Sequence, residues 1–141
     1  MPMQRNPHNR SHLTLTSVAL AMMLSAGAPV VLAGNLTPQT AGQISYVCGG
    51  VAQDEQQALN AEARNYNLSL LFTQGPRGEY LADVDVKLTR HGKEVASFRA
   101  DGPRCLIKAP PASYNVIATY EGTTKRATVQ TGSTRNVQLR W

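Results

Sequence analysis

Lys108-Ala109-Pro110-Pro111-Ala112-Ser113-Tyr114-Asn115-Val116-Ile117-Ala118-Thr119-Tyr120-Glu121-Gly122 is the most informative stretch of this chain. Its two prolines each fix φ and lack an N–H, so the segment enters extended and cannot continue as helix. From Tyr114 the side chains alternate, with Tyr114, Val116, Ala118 and Tyr120 on one face and Asn115, Ile117 and Thr119 on the other. A period of two in β-branched and aromatic residues, closed by Glu-Gly, predicts a strand running into a hairpin.

The same grammar extends outward in both directions. Upstream, Val84, Val86 and Leu88 alternate with Asp83, Asp85, Lys87 and Thr89, which predicts a strand with one buried and one wet face. His91-Gly92 turns the chain, residues 94–100 return, Asp101-Gly102-Pro103 is a break, and residues 105–107 form a short apolar strand. Residues 68–72 are apolar enough for a central strand, with a loop at 75–78, and residues 43–48 read as a short strand stopped by Gly49-Gly50. Downstream come residues 126–131, a Gly132-Ser133 turn, and Val137 and Leu139 alternating with Gln138 and Arg140. Seven or so short strands at regular spacing predict a mostly β fold, a seven-strand Greek-key sandwich of two sheets.

One helix precedes most of these strands, at about residues 54–66. Asp54 can accept from the amide of Gln57 and the Gln57 side chain can return the bond, the reciprocal arrangement of a helix start. Leu59, Ala63 and Tyr66 fall on one narrow stripe, and Asn65 or Asn67 can close the helix in a left-handed cap. A helix this short is marginal in isolation and must lean on the strands.

The first 33 of the 141 residues read as a targeting segment and not as part of the fold. Arg5, His8, Arg10 and His12 form a basic leader, no charge follows from Leu13 to Ala33, and Val31-Leu32-Ala33 offers a signal-peptidase exit. Cleavage between Ala33 and Gly34 is the expectation. An uncleaved anchor is the alternative, because the uncharged run approaches the roughly 20 residues that span a bilayer; Thr14, Thr16, Ser17, Gly27 and Pro29 dilute it. Residues 34–42 then form a flexible lead-in and residues 43–141 a single sandwich domain. The leader removes Arg5 and Arg10, so the net charge falls from +5 to +3. The remaining basic residues are scattered without interleaved aromatics, which argues against nucleic acid as a partner.

From Leu81 onward the chain resembles the carboxypeptidase regulatory-like domain, a transthyretin-like (prealbumin-like) sandwich. The pieces that carry the likeness are Ala82-Asp83-Val84-Asp85-Val86 with its following Gly turn, Asp101-Gly102, and Pro110-Pro111 with a tyrosine three positions on. Tyr120-Glu121-Gly122 and the two closing strands complete it. Ala112 stands where that family usually has glycine, and Arg104 and Ala109 stand near positions where it commonly has an aromatic or leucine. The front part, Tyr46-Val47-Cys48-Gly49-Gly50 with the acidic helix start and Tyr66-Asn67-Leu68, resembles small exported bacterial proteins of unknown role that place one helix before such a sandwich. The resemblance implies a fold and an exported, periplasmic or secreted, life; it implies no reaction, since one sandwich hosts many functions.

The residues give little to build an enzyme from. After cleavage the only histidine is His91, in a turn, where it is poorly held for nucleophilic catalysis. Cys48, Cys105 and His91 have no zinc-like spacing, and Asp83 and Asp85, with Glu79 and Asp101 nearby, lack the loop spacing of a calcium site. No catalytic residue, metal or cofactor is therefore expected. The pairs Asn35-x-Thr37 and Asn67-x-Ser69 match the glycosylation pattern by chance in a chain of bacterial character. Cys48 and Cys105 are an even pair in an exported chain, which predicts a disulfide between them; two separate buried thiols are the competing reading. The expected function is a non-enzymatic accessory module of the cell envelope acting through protein–protein contact, by an edge strand or by the groove between helix and sheet. A carbohydrate-binding module is the alternative, and exposed coplanar aromatics would favour it.

Overall fold

The computed structural model describes residues 36–132 and 136–141. The Ala33–Gly34 cleavage expectation lies outside the described residues. The fold is two facing sheets with one short helix, as expected, but it has ten strands instead of seven. In chain order they are β1 (Gln39–Ala41), β2 (Ile44–Gly49), β3 (Leu68–Gln74), β4 (Glu79–Tyr80), β5 (Val84–Arg90), β6 (Lys93–Ala100), β7 (Arg104–Lys108), β8 (Ser113–Tyr120), β9 (Thr123–Gln130) and β10 (Val137–Arg140). The strand read at residues 43–48 is present as β2, and the strands not anticipated are the short β1 and β4. Two or three residues carry no periodicity of their own, so β1 and β4 are defined only by their neighbours. The segment read as a flexible lead-in, residues 34–42, thus contains an edge strand: Gln39, Thr40 and Ala41 pair antiparallel with Tyr46, Ser45 and Ile44.

The first sheet runs β1-β2-β7-β3-β10, with β4 attached to β3; the second runs β6-β5-β8-β9. All pairings are antiparallel except β3 with β10. The inward faces meet in one core containing Phe72, Leu70, Ile44, Val84, Val86, Leu88, Ile107 and Val116. Tyr46 of β2 stacks on Phe98 of β6 with ring centroids 3.9 Å apart, tying the sheets together at one edge. Tyr114 is buried, and its hydroxyl donates to the carbonyl of Pro110, so the diproline entry and the strand it opens are fastened to each other. The two sharpest hairpin turns place His91 (φ 51°) and Glu121 (φ 45°) in the left-handed region, each followed by a glycine there as well.

The helix α1 (Gln53–Glu62) continues as a single 3₁₀ turn (Ala63–Asn65). It covers the outer face of the first sheet, where Leu59 packs on Val47 and Leu106 to form a second, smaller core with Ala63 and the half-buried Tyr66 at its margin. Two expectations about its ends do not hold. Its N-cap is Ala52, with no capping side chain, in place of the Asp54–Gln57 box. Instead Glu55 accepts from the amide of Gly50 at 3.1 Å and Gln56 donates to the carbonyl of Gly50 at 3.0 Å. The helix is anchored to the preceding turn because Gly50, at φ 97°, turns its backbone groups toward those side chains. No left-handed cap closes it either: Tyr66 is extended, and Asn67 is occupied elsewhere, its side-chain amide pairing with both backbone groups of Ala109 at 2.7 and 3.0 Å.

Candidate functional site

Cys48 and Cys105 are opposed in the register of β2 and β7, and their sulfurs are bonded at 2.03 Å. The bridge lies on the core-facing side, where Cys105 is fully buried, and it fixes the front strand β2 to the body of the first sheet. Neither thiol is free. His91 sits exposed at the tip of its turn. Asp83 is not part of β5: it precedes the strand at φ 60°, so the two aspartates do not share a strand face through simple alternation. Both nonetheless approach Arg99, at 3.7 Å from Asp83 and 4.0 Å from Asp85, with all three side chains well exposed. Glu79 lies in β4 of the other sheet. Among the described residues no group of three or more His, Cys, Asp or Glu side chains could hold a metal ion.

One concave region lies on the outer face of the first sheet, which α1 only partly covers; a more open and more polar hollow of about 480 Å³ lies at Asp83, Asp85, Arg99 and Tyr120. Because strand side chains alternate, Leu70, Cys105 and Ile107 enter the core while Ser69 and Leu71 of β3 and Arg104 and Leu106 of β7 face outward. Two hollows, of about 300 and 210 Å³, lie side by side along this groove, with Arg104 and Asn136 in the wall of both. Ser69, Leu71, Arg104 and Leu106 line it from the sheet, Gln56, Asn60, Ala63 and Tyr66 from the helix and its 3₁₀ turn, and Tyr80 of β4 from the far side.

Arg104 is the centre of this groove. Its Nη1 donates to Asn60 Oδ1 of the helix, and its Nε reaches Ser69 Oγ at 3.5 Å. Ser69 in turn donates to Asn136. Burial lowers the Arg104 guanidinium from its ordinary value, as expected of a cation partly stripped of water, and it stays charged at neutral pH. The Tyr66 hydroxyl, also in the groove, is raised, first by burial and then by Glu62. No family model matches this chain, and no curated protein does.

The aromatic rings are distributed unevenly. Phe72, Phe98, Tyr46 and Tyr114 are buried, and Trp141 is half-buried, donating from Nε1 to the carbonyl of Thr123 and meeting Phe72 and Tyr120 edge-on. Among the described residues the only large hydrophobic side chains that are exposed are Val51, 66% exposed, and Tyr80, 56% exposed. Tyr80 lines the groove, and Val51 follows Gly50, which also lines it.

The sequence reading anticipated a groove between helix and sheet but not the residue at its centre. Arg104 passed as one of a dozen scattered basic positions. The available signal was its phase: two residues before Leu106 on the same strand, it shares an outward face with a fully buried leucine.

Proposed function

We propose that this chain is an exported, non-enzymatic accessory module of the bacterial cell envelope, acting in the periplasm or outside the cell by holding a protein partner against the groove beside α1. The observation that carries the reading is Tyr80, 56% exposed, in the wall of that groove beside Leu71 and the partly desolvated Arg104. An exposed large apolar side chain on open surface needs no explanation, whereas one set into a concave face beside a partly buried cation marks contact ground. The two-sheet sandwich and its diproline-tyrosine entry are consistent with a relation to the carboxypeptidase regulatory-like domain. The aromatic pattern favours protein over glycan: a sugar platform calls for coplanar exposed rings, and among the described residues Tyr80 is the one ring so exposed.

The test is in-cell formaldehyde crosslinking of the native chain and of the double variant Val51→Ser with Tyr80→Ser. The reading expects a discrete protein adduct that the double variant loses while its melting temperature stays within a few degrees. Retention of the purified chain on an insoluble polysaccharide, abolished by the same double variant and with no protein adduct in cells, would move the function to the carbohydrate class.

A further inference from the structure

We infer that the groove beside α1 takes an extended protein segment of apolar–acidic–apolar pattern, with the acidic side chain, Asp or Glu, seated on Arg104. The inference rests on the reading of this groove as the protein-contact face and adds the chemistry of what binds there.

The first argument is charge. The two hollows are lined by Arg64 and Arg104 and, among the described residues, by no Asp or Glu. The ion pairs of the described residues lie elsewhere, joining Lys87 to Glu94 and Arg99 to Asp83 and Asp85. A partly desolvated cation without a counter-ion is costly, and a carboxylate brought by a partner relieves that cost.

The second argument is orientation. Asn60 and Ser69 accept from Nη1 and Nε of Arg104, and Ser69 is itself held by Asn136. The planar fork is therefore restrained by Asn60, with a longer contact to Ser69, before any ligand arrives, and part of the ordering cost of binding is already met. Its remaining N–H groups suit the two oxygens of a carboxylate, which Arg recognises in bidentate fashion.

The third argument is what lies on each side. Ala63 and Tyr66 line one hollow beside Arg64, while Leu71 and Tyr80 line the other beside Gln56 and Asn60, with Arg104 common to both and Leu106 and Pro103 buried beneath. An occupant crossing from one hollow to the other thus meets accessible apolar side chains on each side of Arg104. A single small anion would use only the middle of that series, whereas a Leu-Glu-Leu type of segment uses all of it.

The experiment is a two-dimensional NMR titration of the exported chain, disulfide intact, with acetyl-Leu-Glu-Leu-amide and with acetyl-Leu-Gln-Leu-amide. The expected result is saturable shifts of the Asn60, Ser69, Arg104 and Leu106 amides with the Glu peptide and about tenfold weaker binding of the Gln peptide, the scale of a charge-assisted pair. Arg104→Gln should erase the difference between the two peptides and Arg104→Lys should keep part of it. Equal binding of both peptides, or shifts confined to other faces, overturns the inference. Shifts that grow with protein concentration in the absence of peptide also overturn it and assign the groove to a second copy of the chain. Crosslinking separates this inference from the reading beneath it. If the Val51/Tyr80 double variant loses the protein adduct but Arg104→Gln keeps it in full, the contact face stands and the carboxylate falls. If neither variant changes the adduct, both fall.

Discussion

Two glycines show how the same residue type serves unlike purposes in this fold. A Cβ on Gly102 would stand 2.5 Å from the Cα of Gly49, backbone against backbone, beside the strands that carry the disulfide. A Cβ on Gly122 would meet nothing within 4 Å, but Gly122 sits at φ 78°, where an L side chain is disfavoured by about 1–2 kcal/mol. Gly102→Ala is therefore expected to destabilise by clearly more than the ~1 kcal/mol of a typical substitution, because backbone cannot move aside as a flexible side chain can. Gly122→Ala should cost only its conformational term. Urea unfolding of both variants checks this pair, and a Gly102→Ala variant no less stable than Gly122→Ala would deny the close approach. The turn role of Gly122 was legible in Tyr120-Glu121-Gly122, since a local motif announces a local conformation. The crowding at Gly102 was not, because it arises from Gly49, far away in the chain and brought near only by β2–β7 pairing. Arg104 belongs with Gly102 in this respect: its importance comes from Asn60 and Ser69, neither of them its neighbour in sequence.

At the scale of elements, α1 is the piece with the least intrinsic support. It has ten residues, no capping side chain at its N-cap, no basic residue in its last turn, and one buried side chain, Leu59. Ten residues fall short of the ~12–15 at which isolated helices become even marginal, so its existence depends on Leu59 packing on Val47 and Leu106. Leu59→Ala is expected to cost about 2–5 kcal/mol, the range for a fully buried leucine. It should also abolish hydrogen-exchange protection of the helix before that of β5 and β8, since those strands share no contact with this small core. A change below ~0.5 kcal/mol would mean that the helix contributes nothing to stability. The stripe of Leu59, Ala63 and Tyr66 was readable from spacing, and so were β5, β6 and β8, which bury every second residue over most of their length. The capping geometry and the strands β1 and β4 were not. Glu55 and Gln56 grip Gly50 because of how the chain turns there, and β1 and β4 exist because β2 and β3 offer them an edge.

For the whole molecule, the disulfide and the groove are parts of one construction. Cys48–Cys105 ties β2 to β7, and the outer faces of those strands supply Val47 and Leu106 beneath the helix and Arg104 beside it. The bridged cysteines are 57 residues apart in sequence, for which the chain-entropy relation gives about 4 kcal/mol as an upper figure. Reduction is expected to raise the intact mass by two hydrogens and to lower the melting temperature by up to roughly 16–32 °C, at roughly 4–8 °C per kcal/mol for a domain of this size. Two thiols that react freely in denaturant without reductant would remove the bridge from this account. The central claim, however, is that the outer face of the first sheet beside α1 is where this module meets its partner. Photo-crosslinking residues placed one at a time at Asn60 and Tyr80, and at Asn115 and Arg126 on the outer side of the second sheet, measure it in the producing cells. The account predicts one and the same protein adduct from positions 60 and 80 and none from 115 and 126; an adduct from the second sheet alone would contradict it.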